Sequence, residues 1–136
     1  MVRDIVTTPL LLHMPSAEAT PQDVGVGQDL LDTLAAHAHE CVGMAANMIG
    51  VRKRIVVVDN GGTALVMFNP RILKRSGAYD TEESCLSLTG SRPCTRYRRI
   101  TVCWRDAQWT EHTQAFSGFV AQIIQHEVDH CEGIVI

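Results

Sequence analysis

The sequence predicts an α+β domain in which mainly antiparallel strands surround one enclosed helix near the C-terminal end, and three observations carry that prediction. Apolar, β-branched runs fill the middle of the chain, joined by connections too short for parallel crossovers. A helix-spaced segment comes before them. The last helical segment is apolar nearly all round, the mark of a helix held among other elements. With 136 residues, 46% hydrophobic and only 20% charged, residues 1–136 read as one domain with a substantial core.

Residues 1–19 contain Pro9 and Pro15 and no sustained periodicity, so they read as an extended arm laid over the domain. Thr20-Pro21-Gln22-Asp23 sets a capping residue before a proline at the first helical position and an acid at the third. Leu30, Leu31, Leu34, Ala35 and Ala38 then recur at helical spacing, which predicts a helix over 21–40. The stretch from Cys41 to Gly50 is small and apolar. Its composition favours a tight core turn, and its glycines would also let the backbone approach a neighbour closely. Strands are predicted at 54–59, 64–68 and 99–104, bounded by the turn signals Asn60-Gly61-Gly62 and Asn69-Pro70. Helical spacing returns from Phe116 to Cys131, with Gly133 as its stop.

Charge narrows the class of partner. A formal net charge of -3 and the absence of a Lys or Arg run argue against nucleic acid or an anionic membrane as the main partner. The basic cluster from Arg96 to Arg99 reads as a solvated strand face. Charged residues stand where a signal peptide would need its apolar run, and no apolar segment is long enough to span a bilayer, so a cytoplasmic location is expected. The five cysteines, Cys41, Cys85, Cys94, Cys103 and Cys131, are odd in number and lack C-x-x-C pairing. They read as free thiols, one of them available as a ligand.

The chemistry concentrates in Gln125-His126-Glu127-Val128-Asp129-His130. Histidines at i and i+4 lie on one helix face and can reach the same metal ion, with Glu127 placed as a base beside it. Two histidines sharing a face by accident is the competing reading. A chance match in a chain this long is on the order of a few in a thousand. A hydrolytic metal site needs three protein ligands and an open position. After His130 the sequence offers one carboxylate, Glu132, off the required face, so the third ligand is expected upstream. A thiolate with two imidazoles suits zinc or ferrous iron. Spacing ranks Cys85 first, in a polar turn-like segment over 81–90. Cys131, too near His130 on the same helix, ranks below it, as do Cys41 and Cys103, which read as small buried hydrophobes.

Glu83-Ser84-Cys85-Leu86-Ser87 resembles the E-G-C-L-S motif of the peptide deformylases, residues 125–130 resemble their Q-H-E-x-D-H motif, and residues 42–48 their G-x-G-x-A-A-x-Q motif. All three stand in the family's order and at roughly its spacing. The resemblance implies a peptide deformylase-like fold with strands around the metal helix. It implies removal of the N-formyl group from the N-terminal methionine of newly made polypeptides. It also implies one divalent metal ion held by Cys85, His126 and His130, with Fe(2+) first and Zn(2+) or Ni(2+) as alternatives. Glu127 would move the proton. The oxyanion donors would be the backbone N–H of Leu86 and the glutamine that ends the first motif.

That glutamine position holds Met48, whose thioether cannot donate a hydrogen bond. Losing one oxyanion donor typically costs about 100- to 1000-fold in rate. The amide of Asn47, one residue earlier, is the alternative donor. A second reading follows, a catalytically weak or inactive deformylase-fold metalloprotein that binds peptide N-termini. Cys41 and Ser84 stand at two further family glycine positions. By the same resemblance Glu83 pairs with Arg96 to brace the cysteine segment and Arg92 anchors the substrate backbone, while Val42, Gly43, Phe119 and Ile123 line the methionine pocket. Formyl-methionyl peptides or nascent chains are the implied partners, with association to the ribosome.

Overall fold

The computed structural model describes residues 1–85 and 87–135, and in it the apolar middle of the chain forms an antiparallel five-stranded sheet. The strands are Gly43–Ala45 (β1), Ile55–Asn60 (β2), Thr63–Cys85 (β3), Leu88–Arg105 (β4) and Glu111–Ser117 (β5), paired in that order. Helices Pro9–Leu12 (α1) and Val24–Ala36 (α2) precede the sheet, and Gly118–Cys131 (α3) follows it. The expected α+β class is therefore observed. No helix among the described residues is long and apolar enough to cross a membrane.

β2 explains why the sheet is covered on both faces. Ile55, Val56, Val57 and Val58 are all fully buried, and alternate residues feed two cores. Val56 and Val58 join Ile124, Val128 and Trp104 on the α3 side, whereas Ile55 and Val57 join Leu30, Leu34 and Phe68 on the α2 side. Each such side chain, fully buried, contributes about 1.5–3 kcal/mol. α2 can lie close against the sheet because Gly27 has no side chain. A Cβ there would come within 2.6 Å of the Phe68 ring.

Several boundaries differ from the sequence expectation for identifiable reasons. The helix expected over 21–40 is a 3-10 turn at Pro21–Asp23 followed by α2, which stops at Ala36. Asp23 accepts the Thr20 N–H at 2.8 Å, as the capping pattern implies. Ala35 and Ala38 are exposed, so no apolar anchor holds a further turn. Asn69-Pro70, taken as a turn signal, is instead a bulge inside β3: Asn69 has φ 53 and the pairing register with β4 shifts there. The Asn69 amide exchanges two hydrogen bonds with the Ala19 backbone, at 2.7 and 3.0 Å, and so fastens the arm to the sheet. Phe116 belongs to β5 rather than to the last helix, where it packs on Trp104. Of the 81–90 segment, read as turn-like, residues 81–85 close β3 and residues 88–90 open β4, with Cys85 the last residue of β3. Its polar residues stand there because this end of the ladder faces a cavity and a buried ion cluster rather than apolar core.

Candidate active site

α3 passes His126, Glu127 and His130 in front of the end of β3. Among the described residues one set of potential metal ligands converges: the ligand atoms of Cys85, His126 and His130 all lie within 4.8 Å of one another, and all three residues are buried. His130 is fully buried, with Nε2 3.3 Å from the Cys85 Sγ. The alternative thiols fall away. Burial pushes the Cys41 thiol up to about 11, and its Sγ donates to the Gly43 carbonyl at 2.9 Å. Burial likewise pushes Cys131 up to about 12, within the core beside Val128 and Ile124.

Each histidine is held from behind by a different partner. His126 Nδ1 lies 2.8 Å from Glu83 Oε1. Glu83 also accepts from Gln122 at 2.8 Å and from both Nε and Nη2 of Arg96, the closest at 2.7 Å. Arg96 then reaches back to Asp129 on α3 at 2.7 Å. The expected Glu83–Arg96 brace is thus present and extends to α3. Burial works against charge on Glu83, yet the hydrogen bonds from His126, Arg96 and Gln122 hold its carboxyl far below the usual carboxylate range. His130 Nδ1 instead faces the Asn47 Oδ1, at 3.2 Å.

The donor set fits a cation. Burial alone would lower the His126 pKa, but Glu127, Cys85 and Glu83 around it push it up to about 10. The cluster draws a positive charge to its centre. His130, buried and beside His126, is pushed down to about 3 and stays a neutral imidazole able to offer a lone pair. Glu127 is 4% exposed, and its Oε1 has no hydrogen-bond partner among the described residues. Burial pushes its pKa up to about 7, which suits a group that must take and return a proton near neutrality.

These groups open into a cavity of about 700 Å³, whose wall includes Val42, Gly43, Met48, Phe119 and Ile123 together with Cys85, His126 and Glu127. Four of the five residues expected to contact substrate are therefore at the cavity. Phe119 sits at its edge, 62% exposed. Arg92, half-buried, stands opposite Glu83 in the β3–β4 ladder and outside the cavity wall defined by the described residues. The N–H of Leu86, the other expected donor, lies outside the described residues. Gly43 is needed for proximity: a Cβ on it would lie 2.7 Å from Ile123 and 3.0 Å from Glu127 Oε2. This meets the expectation of a close backbone approach in residues 41–50.

Met48 lines the cavity, and its Sδ accepts the Ala45 N–H at 3.5 Å. Asn47 does not stand in for the missing amide donor. It is 3% exposed and faces away, with its Nδ2 donating to His130 O at 3.0 Å and to Leu12 O at 3.3 Å. Sequence reasoning missed Gln122, a single polar residue on a helix with no motif around it. It also missed Gln125 as a clamp: its Oε1 accepts the Tyr97 N–H and its Nε2 donates to Tyr97 O, both at 2.8 Å, as a strand would.

Comparison with known proteins adds a separate line of support. A family model described as polypeptide deformylase matches residues 3–136. A peptide deformylase of Clostridium beijerinckii is 52% identical over 136 residues, the whole of both chains. A crystal structure of the class I type b peptide deformylase of Acinetobacter baumannii with Met-Ala-Ser bound superimposes with a TM-score of 0.88 at 27% identity, covering 99% of this chain and 97% of that one. The peptide deformylase of Thermotoga maritima, at 24% identity and a TM-score of 0.89 over 99% of this chain and 95% of its own, shares the fold.

Proposed function

Since the chain belongs to the polypeptide deformylase family and is a hydrolase removing the N-formyl group from the N-terminal methionine of new polypeptides, we propose that Cys85, His126 and His130 hold its metal ion and that Glu127 moves the proton. The observation that carries this reading is the convergence of three ligand atoms within 4.8 Å, beside a buried carboxylate oxygen that has no other described partner. A bound divalent ion supplies Lewis-acid charge and makes water a competent nucleophile near neutral pH. Fe(2+) is our choice of ion, because one thiolate and two imidazoles suit it, with Zn(2+) and Ni(2+) as the alternatives.

The protein's own groups account for the remaining steps. Glu127 accepts a proton from the attacking water and returns it to the amine nitrogen as the C–N bond breaks, leaving formate and a free peptide N-terminus. Val42, Gly43 and Ile123 frame the methionine side chain, Phe119 closes its outer edge, and Arg92 anchors the peptide backbone. The Leu86 N–H stabilises the developing oxyanion. Met48 offers no donor there, so the rate is limited at this point. The Met-Ala-Ser complex of the Acinetobacter relative supports a peptide N-terminus as the occupant. Nascent chains as substrate place the protein in the cytoplasm, at or near the ribosome. A non-catalytic role is not favoured, because ligands, base and cavity are assembled together.

The test is formate release from a formyl-methionyl tripeptide by anaerobically prepared, iron- or nickel-loaded protein. Release above background is expected. No release from protein with metal demonstrably bound would remove the reading.

A further inference from the structure

Asn47 lies in the 3-10 turn Ala46–Ile49, on the far side of His130 from the cavity, and its amide is fully committed. The Nδ2 group meets two backbone carbonyls, His130 O at 3.0 Å and Leu12 O at 3.3 Å. Carbonyls only accept, so the nitrogen of the amide must face them, and the oxygen must face the ring at 3.2 Å. Turning the amide over would set an oxygen against two oxygens. An oxygen facing His130 Nδ1 requires a proton on that nitrogen, which leaves the Nε2 lone pair directed at the Cys85 sulfur, 3.3 Å away.

The second contact of the amide is equally specific. His130 O is a last-turn carbonyl of α3 without an intrahelical partner, shared here between Asn47 and the Gly133 N–H at 3.1 Å. Leu12, fully buried at the end of α1, supplies the other carbonyl. One side chain thus ties the ring, the backbone of the same residue and the N-terminal arm. Aspartate at 47 would keep the acceptor and lose both donors. Alanine would lose all three contacts.

We propose that Asn47 is a positioning residue of the metal centre, holding His130 as the Nδ1–H tautomer with Nε2 presented to the ion. The inference rests on His130 being a ligand. Its role is distinct from that of the neighbouring Met48, which lines the cavity, and it explains why the amide at 47 is unavailable as an oxyanion donor.

The test reads metal affinity and ring chemistry. In wild-type, zinc-loaded protein, nitrogen-15 NMR should find the His130 proton on Nδ1. A proton on Nε2 overturns the proposal without any variant. Cobalt(II) affinity by chelator competition should fall about 10- to 100-fold in Asn47→Ala, the usual cost of losing a partner behind a ligand. The cobalt visible band should shift with it. Asn47→Asp, which restores the acceptor, should recover most of the affinity although its melting temperature stays low. Equal losses in the two variants would reduce Asn47 to a structural role and overturn the proposal, as would an Asn47→Ala spectrum and affinity identical to wild type. If Asn47→Ala does not fold, Asn47→Asp and the NMR spectrum decide. Cys85→Ser serves as the control for the underlying reading: unchanged cobalt binding there would remove the ligand assignment itself, whatever Asn47 does.

Discussion

The two walls behind the histidines of α3 are built on opposite principles. On the β3–β4 side His126 leans on a buried carboxylate, Glu83, which is paired with Arg96, accepts a hydrogen bond from Gln122 and is linked through Arg96 to Asp129. On the other side His130 leans on a neutral amide, Asn47, whose remaining valences are spent on backbone carbonyls. The charged wall adds to Glu127 and Cys85 in raising the His126 pKa. The neutral wall ties His130, which burial and the nearby His126 keep an uncharged imidazole, to the chain's own backbone. The difference teaches that the two histidines, equivalent in the sequence motif, are not equivalent in the site: one is tuned by charge, the other by position.

The charged wall should fail hardest. Arg96, 4% exposed, pairs with Glu83 and Asp129, so Arg96→Ala strips the guanidinium from two carboxylates and leaves buried Glu83 with His126 as its cationic neighbour among the described residues. A loss of about 3–5 kcal/mol is expected in denaturant unfolding of the metal-free chain. A change below about 1 kcal/mol would mean that the ion cluster carries no stability. Next comes Met48→Gln, which places an amide donor on the cavity wall and should raise formate release by up to about 100- to 1000-fold. An unchanged rate would count against the missing donor as the limitation. Glu83→Gln keeps the shape but removes the charge behind His126, and should weaken metal binding about 10- to 100-fold in a chelator titration. The smallest effect belongs to the outer ladder. Arg98 lies over the Tyr79 ring at 4.9 Å, and Arg98→Ala should cost less than about 1 kcal/mol and leave metal affinity unchanged.

The charged wall was far more legible in the sequence than the neutral one. Glu83, Cys85, His126, Glu127 and His130 sit in two short motifs whose residue types have few other uses together, and periodicity placed the helix that carries most of them. The strands were found where both faces are buried, as in Ile55 to Val58, and cut short where β3 and β4 run on as a polar ladder with exposed residues. β1 and β5 escaped notice because the first is three residues long and the second, Glu111–Ser117, is polar and exposed except at Phe116. Asn47 was visible only as an amide next to Met48. Its direction is set by contacts with Leu12 and His130, 35 and 83 residues away in sequence, which no local pattern encodes.

Proton transfer by the buried Glu127 carboxylate is read out by formate release from Glu127→Ala loaded with one equivalent of metal. Metal should bind at wild-type stoichiometry and the rate should be at least about 100-fold lower. Formate release at the wild-type rate, with metal bound, would contradict it.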